Sequence, residues 1–176
     1  MHVLITGGAG FIGSHLAEYH LANGDQVYVV DNLSTGSLTN VEPFRGNPAF
    51  RFAEADILHW SGLAQAVAWA DRIYHMAAVV GVKKVLQDPV AVMATNMTGT
   101  ERVLRAIHLG GWNPQVIIAS TSEVYGFNEK DSFAETDNIV LPSAGRLRWA
   151  YAVTKLADEF LAFIAGAELV IHNAPF

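Results

Sequence analysis

Short runs of apolar and β-branched residues alternate along the chain with longer segments in which apolar positions recur at helical spacing. The short runs predict strands, and the longer segments predict helices between them. This alternation is typical of a parallel sheet with helices on both faces, the doubly wound α/β architecture. The predicted strands are residues 2–6, 26–31, 50–55, 72–77, 116–120 and 168–172.

The predicted helices are bounded by residues that favour helix ends. Gly24 follows the first helix and tolerates the positive φ of a C-terminal cap. The long central helix has Pro89 in its first turn and ends at Gly110. Two loops, 32–48 and 127–148, are long for a compact domain, and such loops are commonly functional. The predicted helices are residues 12–23, 60–70, 88–108 and 149–165.

Composition restricts the class of protein. The chain has 176 residues, of which 51% are hydrophobic and 16% charged, so we expect one globular domain over residues 1–176. The formal charge of −6 argues against a nucleic-acid partner, because phosphates require clustered Lys and Arg. No apolar run approaches the ~20 residues that cross a bilayer, and the first residues do not resemble a signal peptide. We therefore expect a cytoplasmic protein without membrane attachment.

The metal-binding and thiol chemistry of the chain is limited by its residue types. There are no cysteines, which excludes disulfides, thiolate zinc sites and cysteine nucleophiles. The seven histidines show no metal-binding spacing, so we expect no metal site. His75, at the end of the fourth predicted strand, is expected to be packed or hydrogen-bonded.

Glycines cluster directly after the first predicted strand. The segment 6–13 fits G-x-G-x-x-G through Gly8, Gly10 and Gly13, and it also fits G-x-x-G-x-x-G starting at Gly7. Both patterns serve a tight turn, a close approach of pyrophosphate to the backbone, and close packing of helix on strand. Glycines alone also occur in ordinary flexible turns. Here they follow a strand and open a helix, where free N–H groups favour anions, so we predict a dinucleotide site.

An acidic residue ends the second predicted strand at the position that a dinucleotide site requires. Asp31 lies 18 positions after Gly13, close to the ~20 typical of a carboxylate on the adenosine ribose. That carboxylate repels a 2′-phosphate, and residues 32–40 contain no Arg to offset it, so NAD is favoured over NADP. The alternative is that Asp31 only caps the next loop. Asp56 ends the third strand, where it could contact adenine or cap a loop.

Tyr151 has a lysine four residues later, Lys155, on a predicted helix. This spacing places both side chains on one helix face. A neighbouring ammonium and a cationic nicotinamide would favour the phenolate, so that Tyr151 could exchange a hydroxyl proton during hydride transfer. The pair is common by chance, but the hydroxyl-rich end of the fifth strand, at 120–126, points to the same sheet edge.

In these segments the chain resembles the extended short-chain dehydrogenase/reductase family, the NAD-dependent nucleotide-sugar epimerases and dehydratases. The resemblance implies a Rossmann-like fold and a Tyr151/Lys155 pair assisted by Thr121, with Lys155 also holding the nicotinamide ribose. Ala77, Ala78 and Asn96 would line the coenzyme or hold the elements around it. The matching segments are 6–13, 31–32, 56, 75–78, 96, 99–100, 120–126 and 151–155.

The residues after Thr121 distinguish reactions within the family. The 4,6-dehydratases resemble Thr-Asp-Glu, whereas this chain has Ser122 and Glu123 there, and Ser is a poor acid for expelling water. The resemblance therefore favours a UDP-hexose 4-epimerase, with UDP-glucuronate decarboxylase or a sugar 4,6-dehydratase-like enzyme as the alternative. Glu123 would be catalytic or would orient the loop. The implied catalytic residues are Thr121, Ser122, Glu123, Tyr151 and Lys155; the implied coenzyme contacts are Gly7, Gly10, Phe11, Ile12, Gly13, Asp31, Asn32, Asp56, Ile57, Met76, Ala77, Ala78, Asn96, Ser120, Tyr151 and Lys155.

The resemblance also implies features outside the coenzyme site. Family members carry a C-terminal sugar-binding part that is largely absent from these residues, so the chain is either a fragment or a short relative. A short relative could be an NAD-binding module without turnover. The helices 88–108 and 149–165 carry broad apolar stripes, and their equivalents in the family pair across a two-fold axis, which predicts a homodimer with a four-helix contact.

Overall fold

A computed structural model describes residues 1–80, 82–127, 129–166 and 168–172 of the protein. Six strands alternate with five helices in the described residues. The strands are β1 (His2–Thr6), β2 (Gln26–Asp31), β3 (Phe50–Glu54), β4 (Arg72–His75), β5 (Gln115–Thr121) and β6 (Glu168–His172). The helices are α1 (Phe11–Ala22), α2 (Leu63–Trp69), α3 (Val82–Gln87), α4 (Pro89–Gly110) and α5 (Ala150–Ile164).

The strands form one sheet in the order β3-β2-β1-β4-β5-β6, and every neighbouring pair is parallel. This confirms the predicted doubly wound, Rossmann-like sheet. The chain first builds outward from β1 to β3 and then returns to continue from β1 through β4. The carboxyl ends of β1 and β4 therefore lie where the order reverses, which is the usual ligand site of such sheets.

Two apolar cores lie on opposite faces of the sheet. Val3, Ile5, Val27 and Val29 pack with Ala17 of α1 on one face. On the other face, Leu4, Val30 and Ile73 of the strands pack with residues of α2, α4 and α5. The helix residues include Val103, Leu104 and Ala162. Because successive strand residues are buried on both faces, the strands read as continuous apolar runs and not as alternating ones.

Several element ends differ from the predicted ones for local reasons. β4 ends at His75 and not at residue 77, because β1 turns at Gly7 and Ala77 then hydrogen-bonds to the Thr6 side chain. α2 begins at Leu63 and not at residue 60. Residues 56–60 form a turn instead, with the N–H groups of residues 59 and 60 donating to the Asp56 carbonyl.

Helix α3 was not predicted, and α4 begins one residue later than expected. Asp88 separates the two helices in a non-helical conformation (φ −148°, ψ 78°), consistent with the restriction that Pro89 places on the residue before it. The Asp88 carboxylate accepts a hydrogen bond from the Ala91 N–H at 2.9 Å and so caps α4. Among the described residues, no helix is long and apolar enough to cross a membrane.

Candidate active site

The glycine-rich loop between β1 and α1 depends on close backbone approaches. Gly7 has φ +69°, and its N–H donates to the Val30 carbonyl at 2.8 Å. A Cβ on Gly7 would lie 2.7 Å from the Ala77 nitrogen, and a Cβ on Gly13 would lie 2.5 Å from the Gly7 oxygen. Side chains at these two positions would collide with backbone that cannot move independently, so the loop holds its shape only with glycine.

The other two glycines of the motif have different surroundings. A Cβ on Gly8 would collide with the Val29 side chain at 2.5 Å, so Gly8 permits close packing of the loop on β2. Gly10 would meet only the Gly7 oxygen, at 3.2 Å, and it precedes α1 without a side-chain cap. The first N–H groups of α1 therefore stay available to an anion. Beside them, Phe11 and Ile12 are 79% and 42% exposed, unusually high for apolar residues.

Asp31 connects the end of β2 to the glycine-rich loop. Its Oδ2 accepts a hydrogen bond from the Ala9 N–H at 3.0 Å, and its Oδ1 accepts one from the Leu33 N–H at 2.8 Å. The loop-capping interpretation of Asp31 therefore describes part of its role. A carboxylate has about four acceptor sites, so two remain for ribose hydroxyls.

An open cleft lies at the switch point, between the loops that follow β1, β2, β3 and β4. Clefts at this place in a doubly wound sheet are the usual position of a bound ligand. Half of the predicted coenzyme contacts line it: Gly7, Asp31, Asn32, Asp56, Ile57, Met76, Ala77 and Ala78. The sequence analysis missed Val30, Ser34, Thr35, Ala55, Val79 and Thr95, which line it too.

Asn32 and Asp56 close one side of this cleft. The Asn32 amide donates to Asp56 Oδ2 at 3.0 Å, and Asp56 Oδ1 accepts the Leu58 N–H at 2.9 Å. Asp56 therefore caps its own loop while lining the cleft, which combines the two interpretations that the sequence left open.

Asn96 joins the cleft to α5 and is itself buried. Its Oδ1 accepts the Val79 N–H at 2.7 Å, and its Nδ2 donates to the Val79 carbonyl at 3.2 Å and to Thr154 Oγ1 at 3.3 Å. Thr154 in turn donates to the Tyr151 carbonyl at 2.7 Å. The resemblance implied that Asn96 either lines the coenzyme or holds the elements around it. These hydrogen bonds match the second role.

The end of β5 is also attached to α5. The Ser120 hydroxyl donates a short hydrogen bond to Glu159 Oε1. Thr121 Oγ1 accepts the Glu123 N–H at 3.3 Å and caps the 3-10 turn over Ser122–Tyr125. Ser120 and Thr121 are buried, whereas Ser122 and Glu123 are half-buried. Among the described contacts, neither Thr121 nor Lys155 hydrogen-bonds to the Tyr151 phenol.

The Tyr151 phenol is more basic than the sequence analysis expected. Burial, together with the negative charges of Glu123 and Asp158, raises the pKa of Tyr151 to about 12. The Lys155 ammonium donates to Asp158 Oδ2 at 3.1 Å in the core. The protein without a bound coenzyme therefore keeps Tyr151 protonated at neutral pH.

A buried hydrogen-bonded series starts at the base of the glycine-rich loop. His75 Nδ1 lies 2.7 Å from Thr6 Oγ1, and His75 Nε2 lies 3.2 Å from Thr100 Oγ1. Burial and the Lys155 charge lower the pKa of His75 to about 3, so the ring is neutral. Thr6 Oγ1 also accepts the Ala77 N–H at 3.3 Å. His75 is hydrogen-bonded, as predicted, and joins the cleft wall to α4.

These residues fit a dinucleotide. A Cβ would fill the cradle at Gly7 and Gly13, uncapped N–H groups face outward from α1, and Asp31 keeps acceptor sites free. The sequence did not predict a role for three inward-facing polar residues, Thr6, Thr100 and Asp158. It also did not predict that Glu159 hydrogen-bonds to Ser120. Their partners come from distant parts of the chain, so local patterns did not reveal them. In the described residues, no group of three or more acidic or histidine side chains could hold a metal ion.

Known proteins are similar to this chain both in sequence and in fold. The family model of GDP-mannose 4,6 dehydratase matches residues 4–166. The UDP-N-acetyl-alpha-D-glucosaminuronate decarboxylase of Bacillus cytotoxicus is 39% identical over 158 residues, which are 90% of this chain and 48% of that protein. UDP-glucuronic acid decarboxylase 1 of Danio rerio is 37% identical, over 70% of this chain and 28% of that protein. The chain thus spans half or less of these curated relatives.

Solved structures of similar proteins superpose over nearly the whole chain. DesIV, a dTDP-glucose 4,6-dehydratase of Streptomyces venezuelae solved with NAD, is 31% identical with a TM-score of 0.83, covering 97% of this chain and 54% of DesIV. The UDP-Glc/GlcNAc 4-epimerase of Campylobacter jejuni is 28% identical with a TM-score of 0.83, covering 97% of this chain and 52% of that one. The chain therefore belongs to the GDP-mannose 4,6-dehydratase family, within the extended short-chain dehydrogenases/reductases.

Proposed function

We propose that the protein binds NAD and oxidises C4 of a UDP-linked sugar transiently, with Tyr151 handling the proton of the 4-hydroxyl. The observation that carries this proposal is the Asn96 bridge. Asn96 binds Val79, which lines the dinucleotide cleft, and Thr154, one helical turn after Tyr151. The coenzyme cleft and the catalytic helix are thus parts of one site. The NAD in the DesIV structure supports the choice of coenzyme.

Within this proposal, bound NAD supplies the hydride acceptor and later the hydride donor. Tyr151 takes the hydroxyl proton as hydride leaves and returns it when the ketone is reduced. To act as the base it must first lose its own proton, which burial and the charges of Glu123 and Asp158 oppose. Positive charge next to the phenol is therefore required, and Lys155 together with the oxidised ring of the coenzyme would provide it.

Two overall reactions follow from a C4 ketone. Returning hydride to the other face gives 4-epimerisation, the outcome that the sequence favoured. A sugar with a carboxylate at C6 becomes a β-keto acid on C4 oxidation. It then loses CO2, C5 is protonated, and the ketone is reduced. The curated relatives at 39% and 37% identity are decarboxylases of this kind, so we place decarboxylation of a UDP-linked uronic acid first and 4-epimerisation second.

Substrate incubations with the protein expressed from its whole reading frame test this proposal. With NAD and UDP-glucuronate or UDP-N-acetylglucosaminuronate, we expect mass spectrometry to detect loss of CO2. With UDP-glucose, inversion at C4 would identify the epimerase instead. Tight NAD binding without turnover of any of these compounds would support the alternative of a binding module and would contradict an enzymatic role.

Replacing the catalytic phenol tests the role of Tyr151. Tyr151→Phe removes the proton carrier but little volume, so turnover should fall by about 10²- to 10⁴-fold while calorimetric NAD binding persists. Tyr125→Phe is the matched control, because Tyr125 is buried against Phe133 in the neighbouring loop. Turnover within threefold of wild type in Tyr151→Phe would contradict the assignment.

We also propose that the protein is a homodimer through α4 and α5. Their outward faces are apolar: Val90, Phe160, Phe163 and Ile164 are all more than half exposed. Covering such surface is favourable by about 25 cal/mol per Å². Sedimentation at micromolar concentration should therefore give a dimer, and Phe160→Glu combined with Phe163→Glu should give a monomer. Sedimentation of the wild type as a monomer would contradict this proposal.

A further inference from the structure

We propose that Asp158 is a positioning residue that holds the Lys155 ammonium in the core and offsets its charge, so that Tyr151 keeps its proton until a bound ligand brings further positive charge. The proposal rests on the roles proposed above for Tyr151 and Lys155. It adds that activation of the base depends on an occupied coenzyme site.

The geometry of the pair supports the proposal. Lys155 and Asp158 are three residues apart on α5, and their side chains are only 2% and 1% exposed. The ammonium donates to Asp158 Oδ2 at 3.1 Å. Lysine has three N–H donors, so this bond fixes the nitrogen while leaving two donors for other groups. Without this hydrogen bond, the Lys155 side chain could rotate and its ammonium would not be held in one position.

Stability alone explains this arrangement poorly. Asp158 Oδ1 is buried, and in the described part of the chain it has no hydrogen-bond partner. A buried acceptor left unpaired is costly, and a buried ion pair often stabilises a protein no more than apolar residues would. A carboxylate kept here at such a cost is better explained by its effect on the catalytic lysine, with which it shares a hydrogen bond.

The charges around the pair come from each element packed against it. Lys155 and Glu159 lie near Asp158 on α5, and α4 contributes the neutral Thr100 hydroxyl. From β4, His75 feels the Lys155 charge but is itself neutral. Burial raises the pKa of Asp158, and the Lys155 ammonium and Thr100 oppose this effect. The ammonium is thus the cation that compensates the Asp158 carboxylate.

The charge of the same carboxylate also acts on the Tyr151 phenol. Burial raises the pKa of Tyr151 most, and the Glu123 and Asp158 charges raise it further. Glu159, by contrast, adds to the effect of burial on the pKa of Tyr125. Asp158 and Glu159 are therefore adjacent acids on α5, of which the first acts on Tyr151 and the second on Tyr125. This difference provides a matched control for the test.

Tyrosinate absorbance of the protein without coenzyme tests the inference, because it requires no turnover. The Tyr151 signal is the difference between each protein and its Tyr151→Phe counterpart. In Asp158→Asn, the Tyr151 phenol should ionise at a lower pH than in wild type, by about half a pH unit. In Glu159→Gln, the Tyr125 signal should shift downward while that of Tyr151 stays within 0.3 pH units, on the order of experimental resolution.

Further variants separate this role from a structural one. Asp158→Glu keeps the charge and should restore a titration close to that of wild type. If Asp158→Asn folds poorly, Asp158→Ser, which leaves space for water beside Lys155, should show the same downward shift. An unchanged Tyr151 titration in the folded Asp158 variant would overturn the inference. Failure of NAD binding or turnover would instead overturn the proposed function, so the two failures are distinguishable.

Discussion

The two halves of the site are built in different ways. On the coenzyme side, the glycine-rich loop and Asp31 are held by backbone contacts, and the Asp31 oxygens are hydrogen-bonded to N–H groups. On the proposed catalytic side, α5 carries the buried Asp158 and the half-buried Glu159, and Asp158 leaves one oxygen without a partner in the described residues. The coenzyme side thus depends on steric fit, and the α5 side depends on charge. Substitutions on the two sides should therefore impair the protein in different ways.

The largest effect is expected from a methyl group in the glycine-rich loop. In Gly13→Ala, the added Cβ would lie 2.5 Å from the Gly7 oxygen, so the loop must shift. We expect a loss of about 3 kcal/mol in the free energy of unfolding and at least a tenfold loss in NAD affinity. Chemical denaturation and calorimetry measure these two quantities. Gly46→Ala is the control, since no atom lies within 4 Å of its Cβ; equal effects would show that the loop is not sterically restricted.

The next largest effect is a pH dependence of stability from His75. Its pKa falls from 6.5 to about 3 on folding, so below pH 6.5 the unfolded chain takes up a proton that the folded protein does not. Stability from this residue is complete above pH 6.5 and is lost as the pH falls towards 3. At pH 5 the loss should be about 2 kcal/mol.

Urea denaturation at pH 7 and pH 5 measures this effect. His75→Gln should remove about 2 kcal/mol of the difference between the two pH values. His108→Gln, at an exposed position near the end of α4, should leave that difference unchanged. If His75→Gln shows the same pH dependence as wild type, His75 does not stay neutral in the folded protein.

A smaller loss of stability is expected at Asn96, which connects the coenzyme cleft to α5. Asn96→Ala removes the bridge and leaves the Val79 N–H and carbonyl without their side-chain partner, which should cost about 1.5 kcal/mol of unfolding free energy. Turnover should fall more than NAD affinity, because α5 loses its attachment to the cleft. A result in which only NAD affinity falls would show that Asn96 serves the coenzyme half alone.

The smallest expected effect lies at the outer wall of the coenzyme side. The Asn40 amide donates to the Ala9 carbonyl at 2.8 Å and holds the loop after β2 against the glycine-rich loop. Asn40→Ala should cost about 1 kcal/mol in thermal or chemical denaturation. The exposed Asn47, whose side chain bonds only within its own turn, is the matched control. Equal losses in the two variants would contradict a specific role for Asn40.

The sequence predicted the coenzyme side better than the catalytic side. Positions such as Gly7 and Gly13 reveal a steric requirement through residue type alone, and the apolar runs predicted every strand of the sheet. Tyr151 and Lys155 were identified by spacing, but the Asp158 partner was not, because its importance appears only once α5 is buried against α4. The end of β4 was placed too late because it depends on the turn at Gly7, in a different part of the sequence.

Helix α5 is anchored in two directions at successive positions. Glu159 reaches β5 through Ser120, whereas Asp158 faces inward to Lys155. Side chains of neighbouring helix residues point about 100° apart. A rotation of α5 about its axis would therefore break the Glu159–Ser120 hydrogen bond or move the buried Asp158–Lys155 pair out of the core. These two anchors therefore fix the rotation of α5 about its axis. If the protein binds the sugar proposed above, the exposed loop that precedes α5 is the part that can adjust to it, and that loop is the place to engineer a change of substrate.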